Sequence, residues 1–243
     1  MPGLPALRRV GHKGADLIAP GNTRESFDAA LQAGVDMIEF DVLPERSDGT
    51  RTGRLILAHD YEDAAGREPL TLEEGLAHLS DSSFGGIDLD VDLKATGYEQ
   101  DVAAALREHR LLGRSLVSSQ YMRSLVQMRE AEPALPLGWS VPRARRDYTR
   151  SALYAVPAYA ALKVMRRRLP GRAALHLHED RCDAVMCHWR LVSPALVRAV
   201  TGAGGELYVW TVDELPRIRA LEKLGVTGVI TNDPRLFAAE PAR

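Results

Sequence analysis

Two acidic residues alternate with apolar residues in the segment Met37–Val42, which reads Met-Ile-Glu-Phe-Asp-Val. In a β-strand, successive side chains point to opposite faces, so Glu39 and Asp41 would share one face. Neighbouring carboxylates repel each other and lose hydration when buried, so they need a cation or protons to remain there. A solvated strand face would avoid this cost, but both faces of a parallel sheet are covered. In a parallel sheet, therefore, the pair indicates a site that holds either a cation or protons.

A second β-rich segment carries polar residues at alternate positions: Asp88, Asp90, Asp92 and Lys94. Asp92 and Lys94 are at its carboxyl end, whereas Asp88 and Asp90 lie deeper, where we expect structural, hydrogen-bonded carboxylates. Together, Glu39, Asp41 and Asp92 would form an all-oxygen site that suits Mg²⁺, Ca²⁺ or Mn²⁺ better than Zn²⁺. Lys94 cannot ligate a metal while it is charged, so we expect it to face an anionic substrate group or brace a carboxylate.

Two histidines follow β-rich runs: His12 comes after Arg8–Gly11, and His59 ends the run Leu55–His59. A lone histidine is usually a packed or surface residue, but two beside acidic strands indicate acid–base chemistry. His188 also ends a strand-like run and is a candidate substrate contact. The other four are expected in helices or loops: His78 and His109 in helices, His176 and His178 in a loop.

These residues belong to a series of short β-rich runs, most of which precede a helical pattern. The runs are Arg8–Gly11, Met37–Val42, Leu55–His59, Ile87–Leu93, Ser115–Ser118, Leu137–Val141, Ala184–Cys187, Glu206–Thr211 and Gly228–Ile230. Strand–helix alternation over a whole chain predicts a parallel sheet. Helix starts support it: Thr71 and Glu74 form a capping box, and Asp213 and Asp233 stand where N-caps belong.

The chain length of 243 residues suits one α/β domain, a (β/α)₈ TIM barrel over residues 1–243. An open doubly wound sheet is the competing architecture, but it usually carries a Gly-rich turn after its first strand. Here that turn reads Gly-His-Lys-Gly over residues 11–14, which does not fit. A barrel also gathers functional residues at the carboxyl ends of its strands, where the candidates lie.

Composition narrows the class of protein. The formal net charge is −2, and there is no run of 18 or more apolar residues or secretory-type apolar N-terminus. Two cysteines are too few for a disulfide framework, so we expect structural thiols and a cytoplasmic location. The basic residues form one cluster interrupted by apolar residues, which argues against nucleic-acid binding.

Several short motifs occur in a characteristic order. They are His12-Lys13-Gly14, Pro20-Gly21-Asn22-Thr23, Glu39-x-Asp41, His59-Asp60, Asp92-x-Lys94, Val209-Trp210-Thr211-Val212 and Gly228-Val229-Ile230-Thr231. This ordered set resembles the glycerophosphodiester phosphodiesterases, over nearly the whole chain except roughly 142–180. The resemblance implies a TIM barrel with a divalent cation held by Glu39, Asp41 and Asp92. It also implies an acid–base pair, His12 and His59, phosphate contacts from Lys13 and Lys94, and Trp210 in the pocket wall.

Three positions depart from that family, which usually has Arg at Lys13, Glu at Gly21 and Glu at Asp92. Lysine keeps the charge of arginine but not its bidentate hydrogen bonding. The shorter carboxylate at Asp92 resembles the related phospholipase D toxins of the sphingomyelinase D group, which share the barrel and both histidines. We expect hydrolysis of glycerophosphodiesters, with cleavage of lysophospholipids as the alternative. Attack by water would give a phosphomonoester, and attack by a substrate hydroxyl a cyclic phosphate.

A third hypothesis is a degenerate barrel that only binds phosphodiesters or anionic lipid. The retained histidines and carboxylates argue against it. The segment 142–180, which falls outside the resemblance, is expected to be an insert at the active-site face. Residues 142–172 hold nine basic residues and one acidic residue around an apolar-aromatic stretch. This pattern is typical of a segment that contacts an anionic membrane surface. A solvated lid packed on the barrel rim explains it equally well.

Overall fold

The computed structural model describes residues 6–142 and 155–238. Its strands are β1 Arg8–Gly11, β2 Met37–Ser47, β3 Thr50–Leu57, β4 Asp88–Leu93, β5 Ser115–Ser119, β6 Leu137–Val141, β7 Ala184–His188, β8 Glu206–Trp210 and β9 Gly228–Thr231. Its α-helices are α1 Arg24–Gln32, α2 Tyr61–Ala65, α3 Leu72–Leu79, α4 Glu99–Glu108, α5 Met122–Ala131, α6 Ala155–His178, α7 Pro194–Gly202 and α8 Leu215–Leu224.

Eight of the strands close into a parallel barrel, which confirms the predicted fold class. Each pairs in parallel with its neighbour in the order β1, β2, β4, β5, β6, β7, β8, β9. β1 then closes the ring, because it is parallel to both β2 and β9. In such a barrel all the strand carboxyl ends open at one mouth.

The ninth strand, β3, is not part of the ring, although the run Leu55–His59 suggests one more strand of the alternating series. β3 pairs antiparallel with the long β2, Val42 facing Leu57 and Ser47 facing Thr50. The turn between them is Asp48-Gly49, with φ values of 51° and 77°. An Asp-Gly pair with positive φ at both positions makes a tight hairpin, whereas a parallel crossover needs a dozen or more residues. The hairpin arm therefore rises from the mouth end of β2.

Both faces of the barrel strands are buried, and two apolar layers result. Along β2, Ile38, Phe40 and Val42 pack in the layer between sheet and helices, all fully buried. Inside the ring, a smaller cluster contains Val10, Met37, Leu116, Ala184, Met186, Tyr208 and Ile230. Burial on both faces explains why Glu39 and Asp41, which alternate with the outer apolar residues, must point into the barrel.

Two of the three predicted N-cap positions are confirmed as N-caps. Thr71 and Glu74 form the expected capping box at α3, and Asp233 caps a short 3₁₀ helix over Pro234–Phe237. Asp213 is not an N-cap, because the N-cap of α8 is Glu214, which makes no side-chain cap hydrogen bond. The Asp213 carboxylate instead accepts hydrogen bonds from the Thr231 hydroxyl and from the backbone and side-chain nitrogens of Asn232.

The described part of the expected insert is α6, which occupies the position of the barrel helix between β6 and β7. Leu169 and Ala173 are buried in the outer apolar layer, so this half of the segment is packed as an ordinary barrel helix. His176 and His178 lie in α6 and not in a loop. Residues 143–154 lie outside the described residues. None of the helices described is long and apolar enough to cross a bilayer.

The barrel floor, at the amino ends of the strands, is closed by a polar network around a fully buried tyrosine. The Tyr208 hydroxyl accepts a hydrogen bond from Arg8 at 2.9 Å and donates one to Glu206 at 2.9 Å. Arg8 also pairs with Asp88 from β4. Asp88 is thus the hydrogen-bonded structural carboxylate that its deep position suggests.

We expect Tyr208→Phe to lower the free energy of unfolding without changing catalysis. The substitution removes both hydrogen bonds of a buried hydroxyl and leaves Arg8 with one partner fewer, at a cost of about 1–3 kcal/mol. Denaturant unfolding measures this change. A fall in kcat in the fully folded variant would contradict the purely structural role of the floor.

Candidate active site

Three carboxylates enter the mouth of the barrel from two adjacent strands. Glu39 and Asp41 come from β2 and Asp92 from β4, with Asp41 and Asp92 paired in register. One ligand oxygen of each lies within 4.8 Å of the others. Glu39 and Asp41 are 4% and 0% exposed. The structure therefore brings together the three predicted metal ligands in a largely dehydrated position.

Lys94 is the cationic partner of this cluster. Its Nζ lies 2.5 Å from Asp41 Oδ1 and 2.6 Å from Asp92 Oδ2. Burial alone would lower the pKa of Lys94, but the charges of Asp41 and Asp92 raise it well above its usual value. Of the two roles expected for Lys94, bracing the carboxylates is the one seen.

The surroundings shift the pKa values of the carboxylates in different directions. Burial and the charge of Asp41 raise the pKa of Glu39 well above its ordinary range. Burial would also raise the pKa of Asp41, but Lys94 beside it holds that pKa well below its usual value. One level deeper, Asp90 faces the same space, and burial together with the charge of Asp92 raises its pKa to about 8. The Ser118 side chain hydrogen-bonds the Asp90 carboxylate and opposes this rise, so Asp90 is hydrogen-bonded, as its deeper position predicts.

The donor set fits a hard divalent cation. Among the described residues, the buried oxygens Asp92 Oδ1 and Asp90 Oδ1 have no hydrogen-bond partner. Three clustered carboxylates offset by one ammonium leave uncompensated negative charge, and oxygen ligands suit Mg²⁺, Ca²⁺ or Mn²⁺. Glu39, Asp41 and Asp92 are the residues that could hold such an ion.

His12 reaches the cluster from the end of β1. Its Nε2 lies 3.9 Å from Glu39 Oε2, and its Nδ1 lies 2.5 Å from Asn232 Oδ1. Asn232 in turn donates from Nδ2 to Asp213 Oδ2 at 2.7 Å. Because the amide nitrogen of Asn232 faces the carboxylate, its oxygen must accept from Nδ1–H of His12. Nε2 of the neutral ring is then free to accept a proton at the mouth.

Burial also affects the protonation of His12. It lowers the pKa of the imidazole, and the positive charges of Lys13 and Lys94 lower it further, against the opposing charge of Asp41. A neutral His12 with an open Nε2 is the form in which histidine acts as a base.

Sequence reasoning missed the contacts of Asn232 with His12 and with Asp213, because these pairs lie 220 and 19 residues apart along the chain.

His59 lies in the link between β3 and α2 and is about half exposed, in contrast to His12. Its Nδ1 lies 3.0 Å from Asp60 Oδ2, and its backbone N–H donates to Asp63. Asp60 is itself fixed because it caps α2. The carboxylate beside Nδ1 therefore orients the His59 ring at the mouth of the barrel.

The loop after β1 is a second support of the cluster. The Lys13 N–H donates to Glu39 Oε2 at 2.8 Å, and the Asn22 side chain bonds both the Asp41 carboxylate and its backbone N–H. Lys13, Gly14 and Asn22 all have positive φ. A Cβ at Gly14 would lie 2.6 Å from the Ser26 carbonyl, so glycine is needed there.

A cavity of about 560 Å³ opens over the cluster. His12, Glu39, His59, Asp92, Lys94 and Trp210 all line it. Tyr61 and Tyr121 add aromatic surface to the same cavity, and Trp210 packs edge-on against His188, 5.1 Å between ring centroids. Lys13 is not among the described residues that line the cavity, since its Nζ pairs with Asp16 at 2.7 Å.

A parallel barrel with buried acidic residues and two histidines at its mouth is typical of a class of barrel enzymes. Comparison with known proteins identifies the family within that class. The glycerophosphoryl diester phosphodiesterase family model matches residues 12–68 and 86–236. A glycerophosphodiester phosphodiesterase from Caldanaerobacter subterraneus is 24% identical, over 93% of this chain and 93% of that protein. A glycerophosphodiester phosphodiesterase structure from Agrobacterium tumefaciens has a TM-score of 0.69 at 19% identity, covering 97% of this chain and all of that one.

The structure of a phosphodiesterase from Oleispira antarctica also shares the fold, with a TM-score of 0.68 and 20% identity over 97% of this chain and 98% of that one. The chain therefore belongs to the glycerophosphoryl diester phosphodiesterase family, whose members are phosphoric diester hydrolases.

We expect Asn232→Ala to lower kcat by about 10- to 100-fold, because support residues of this kind contribute on that scale. Without Oδ1, the Nδ1–H of His12 has no fixed acceptor, so the ring can turn and change tautomer. Steady-state kinetics gives the rate, and nitrogen NMR of the imidazole reports the tautomer. Wild-type kcat with an unchanged tautomer would show that Asn232 does not orient His12.

Proposed function

We propose that the protein is a metal-dependent phosphodiesterase that hydrolyses glycerophosphodiesters to a glycerol phosphate and an alcohol. The observation that carries this proposal is the cluster of Glu39, Asp41 and Asp92 beneath an open cavity, with His12 at its edge. The family assignment supports the reaction class. The Oleispira antarctica structure contains the product sn-glycerol-3-phosphate, which supports the proposed product.

In this proposal the two histidines act on the attacking oxygen and on the leaving oxygen, which lie on opposite sides of the phosphorus. His12 takes a proton at Nε2 from the attacking hydroxyl, and His59, held by Asp60, gives a proton to the leaving alcohol. A bound divalent cation would polarise a phosphoryl oxygen. Lys94 stays with Asp41 and Asp92, and its charge helps to offset the negative charge of the transition state. The attacking hydroxyl is either water or a neighbouring alcohol of the substrate.

The direct test is a product assay on small glycerophosphodiesters and lysophospholipids with Mg²⁺, Ca²⁺, Mn²⁺ or EDTA. Phosphorus NMR separates a phosphomonoester from a cyclic phosphate. Glu39→Gln should lower turnover at least about 100-fold, on the scale of a lost electrostatic group, while Glu73→Gln, an exposed carboxylate on α3, should not. Full activity in excess EDTA after dialysis would exclude the metal.

Metal affinity should also depend on pH. The raised pKa of Glu39 means that a proton competes with the cation for this carboxylate. Ligands must lose their protons to bind a metal, so binding should be tighter at about pH 8 than at about pH 6. Calorimetric titration with Mg²⁺ or Mn²⁺ at both pH values measures this difference. An affinity independent of pH would show that Glu39 is not a ligand of the ion.

A second candidate substrate is lysophospholipid in an aggregate. α6 exposes Lys163, Arg166, Arg167, Arg168 and Arg172, and between the first two it exposes Val164 and Met165. In the β1–α1 loop, Leu17 and Ile18 are 61% and 39% exposed, and the Leu17 N–H bonds the Asn232 carbonyl beside the mouth. Exposed apolar side chains with flanking cations suit an anionic lipid interface. The remaining basic residues of the expected insert, Arg143, Arg145, Arg146 and Arg150, lie outside the described residues.

If the exposed basic side chains of α6 contact lipid, replacing Arg166, Arg167 and Arg168 with Ser should abolish co-sedimentation with phosphatidylglycerol vesicles at low salt. Each basic residue near an anionic leaflet contributes about 1 kcal/mol, and salt screens the attraction. Hydrolysis of aggregated lysolipid should fall, while hydrolysis of a small diester stays unchanged. Equal losses on both substrates, with no vesicle binding by the wild type, would identify a lid instead.

A further inference from the structure

The β1–α1 loop contains a carboxylate that ties its two ends together. Asp16 Oδ2 lies 2.7 Å from Lys13 Nζ, and Asp16 Oδ1 accepts a hydrogen bond from the Gly21 backbone N–H at 2.9 Å. The side chains of Lys13 and Asp16 are 19% and 30% exposed. Asp16 therefore bridges residue 13 to residue 21 and does not simply extend into solvent.

Gly21 has no room for a side chain because of this bridge. A Cβ built on Gly21 would lie 2.5 Å from Asp16 Oδ1 and 2.8 Å from Lys13 Cβ. The Gly21 backbone itself is not in the left-handed region, since it is absent from the residues with positive φ. What requires glycine here is therefore the space taken by the Asp16 carboxylate and the Lys13 Cβ.

The position of the Lys13 ammonium depends on Asp16. Its other acidic neighbours are Glu39 and Asp41, whose charges also act on it. An ammonium has three N–H donors, and Asp16 occupies one of them. Lys13 follows His12, which lines the cavity, so Asp16 holds the ammonium next to the mouth although Lys13 itself does not line the cavity. Without Asp16, the flexible side chain would be drawn towards the carboxylates that hold the cation.

We propose that Asp16 is a positioning residue for Lys13: it holds the ammonium beside the mouth, where it can receive a substrate phosphate, and it fills the space of a side chain at position 21. This inference rests on the proposed phosphodiesterase function. It also gives a physical reason for one departure from the family pattern, Gly21, because the carboxylate of Asp16 occupies the space that a side chain at position 21 would need.

The first test is Asp16→Asn, which keeps the shape and the acceptor for the Gly21 N–H but removes the charge beside Lys13. We expect KM for a small glycerophosphodiester and Kd for inorganic phosphate to rise about fivefold, the scale of a partly exposed ion pair, with kcat changed less than about twofold. Asp28→Asn is the matched control, because that carboxylate contacts His78 on the outer helices. Unchanged KM and Kd, or tighter phosphate binding, would overturn the proposal.

The second test is a double-mutant cycle with Gly21→Glu. In the wild-type background this substitution should raise KM and lower the melting temperature, because the introduced side chain meets the Asp16 carboxylate. In Asp16→Ala, the same substitution should lower KM, because it returns a carboxylate to Lys13 after a small shift at the Lys13 Cβ. Equal damage in both backgrounds would contradict the shared position of the two carboxylates.

Phosphate binding by calorimetry keeps this inference separate from the proposed function. If no diester is hydrolysed, the phosphodiesterase proposal fails, but the Kd values for phosphate still report whether Asp16 positions Lys13. If diesters are hydrolysed while Asp16→Asn and the control behave alike, only the role of Asp16 is wrong.

Discussion

The burial of three carboxylates at one end of the barrel is the constraint on which the site depends. Glu39 accepts from the Lys13 N–H, Asp41 from the Asn22 side chain, and Asp92 contacts Lys94. These partners offset part of the desolvation cost, but a single ammonium cannot balance three ionised carboxylates. Proton uptake by Glu39 or binding of a dication must supply the rest. The same electrostatics links the fold to the proposed cation.

Strand β4 shows how position along the barrel sets the state of a carboxylate. Asp88, at the floor, is paired with Arg8. Asp90, in the middle, is buried with a pKa raised to about 8, and Asp92, at the mouth, contacts Lys94. Three residues of one type, two positions apart, thus differ: Asp88 forms a structural ion pair, the raised pKa of Asp90 favours its protonated form, and Asp92 is a candidate metal ligand. The local sequence is similar at all three, and only the surroundings differ.

The barrel and the acidic cluster could be predicted from the sequence because they follow from alternation. Glu39, Asp41 and Asp92 are required to face inward once both faces of the strands are covered by apolar layers. The chemical roles assigned to His12, His59, Lys13 and Trp210 remain proposals. Details that depend on contacts distant in sequence could not be predicted. Asp213 has the local pattern of an N-cap, yet its carboxylate bonds Asn232.

Other differences from the sequence-based expectations have local causes. The run Leu55–His59 has strand composition, and the preceding Asp48-Gly49 turn decides that it pairs antiparallel with β2. Residues 155–178 have an irregular apolar pattern interrupted by Pro170, which hides the barrel helix that the topology requires between β6 and β7. The prediction that His176 and His178 lie in a loop is wrong for the same reason.

Closure of the barrel is what positions His12. β1 and β9 pair with Gly11 opposite Thr231, and the His12 N–H donates to the Thr231 carbonyl at 2.8 Å. Asn232 is the next residue, so the contact that fixes the imidazole exists only when the first and last strands pair in this register. A slip of one residue would exchange the faces of the β9 side chains and displace Asn232, which directly follows that strand. Pairing of β1 with β9 and the positioning of His12 are therefore one structural event, which explains how residues 220 positions apart can form a single site.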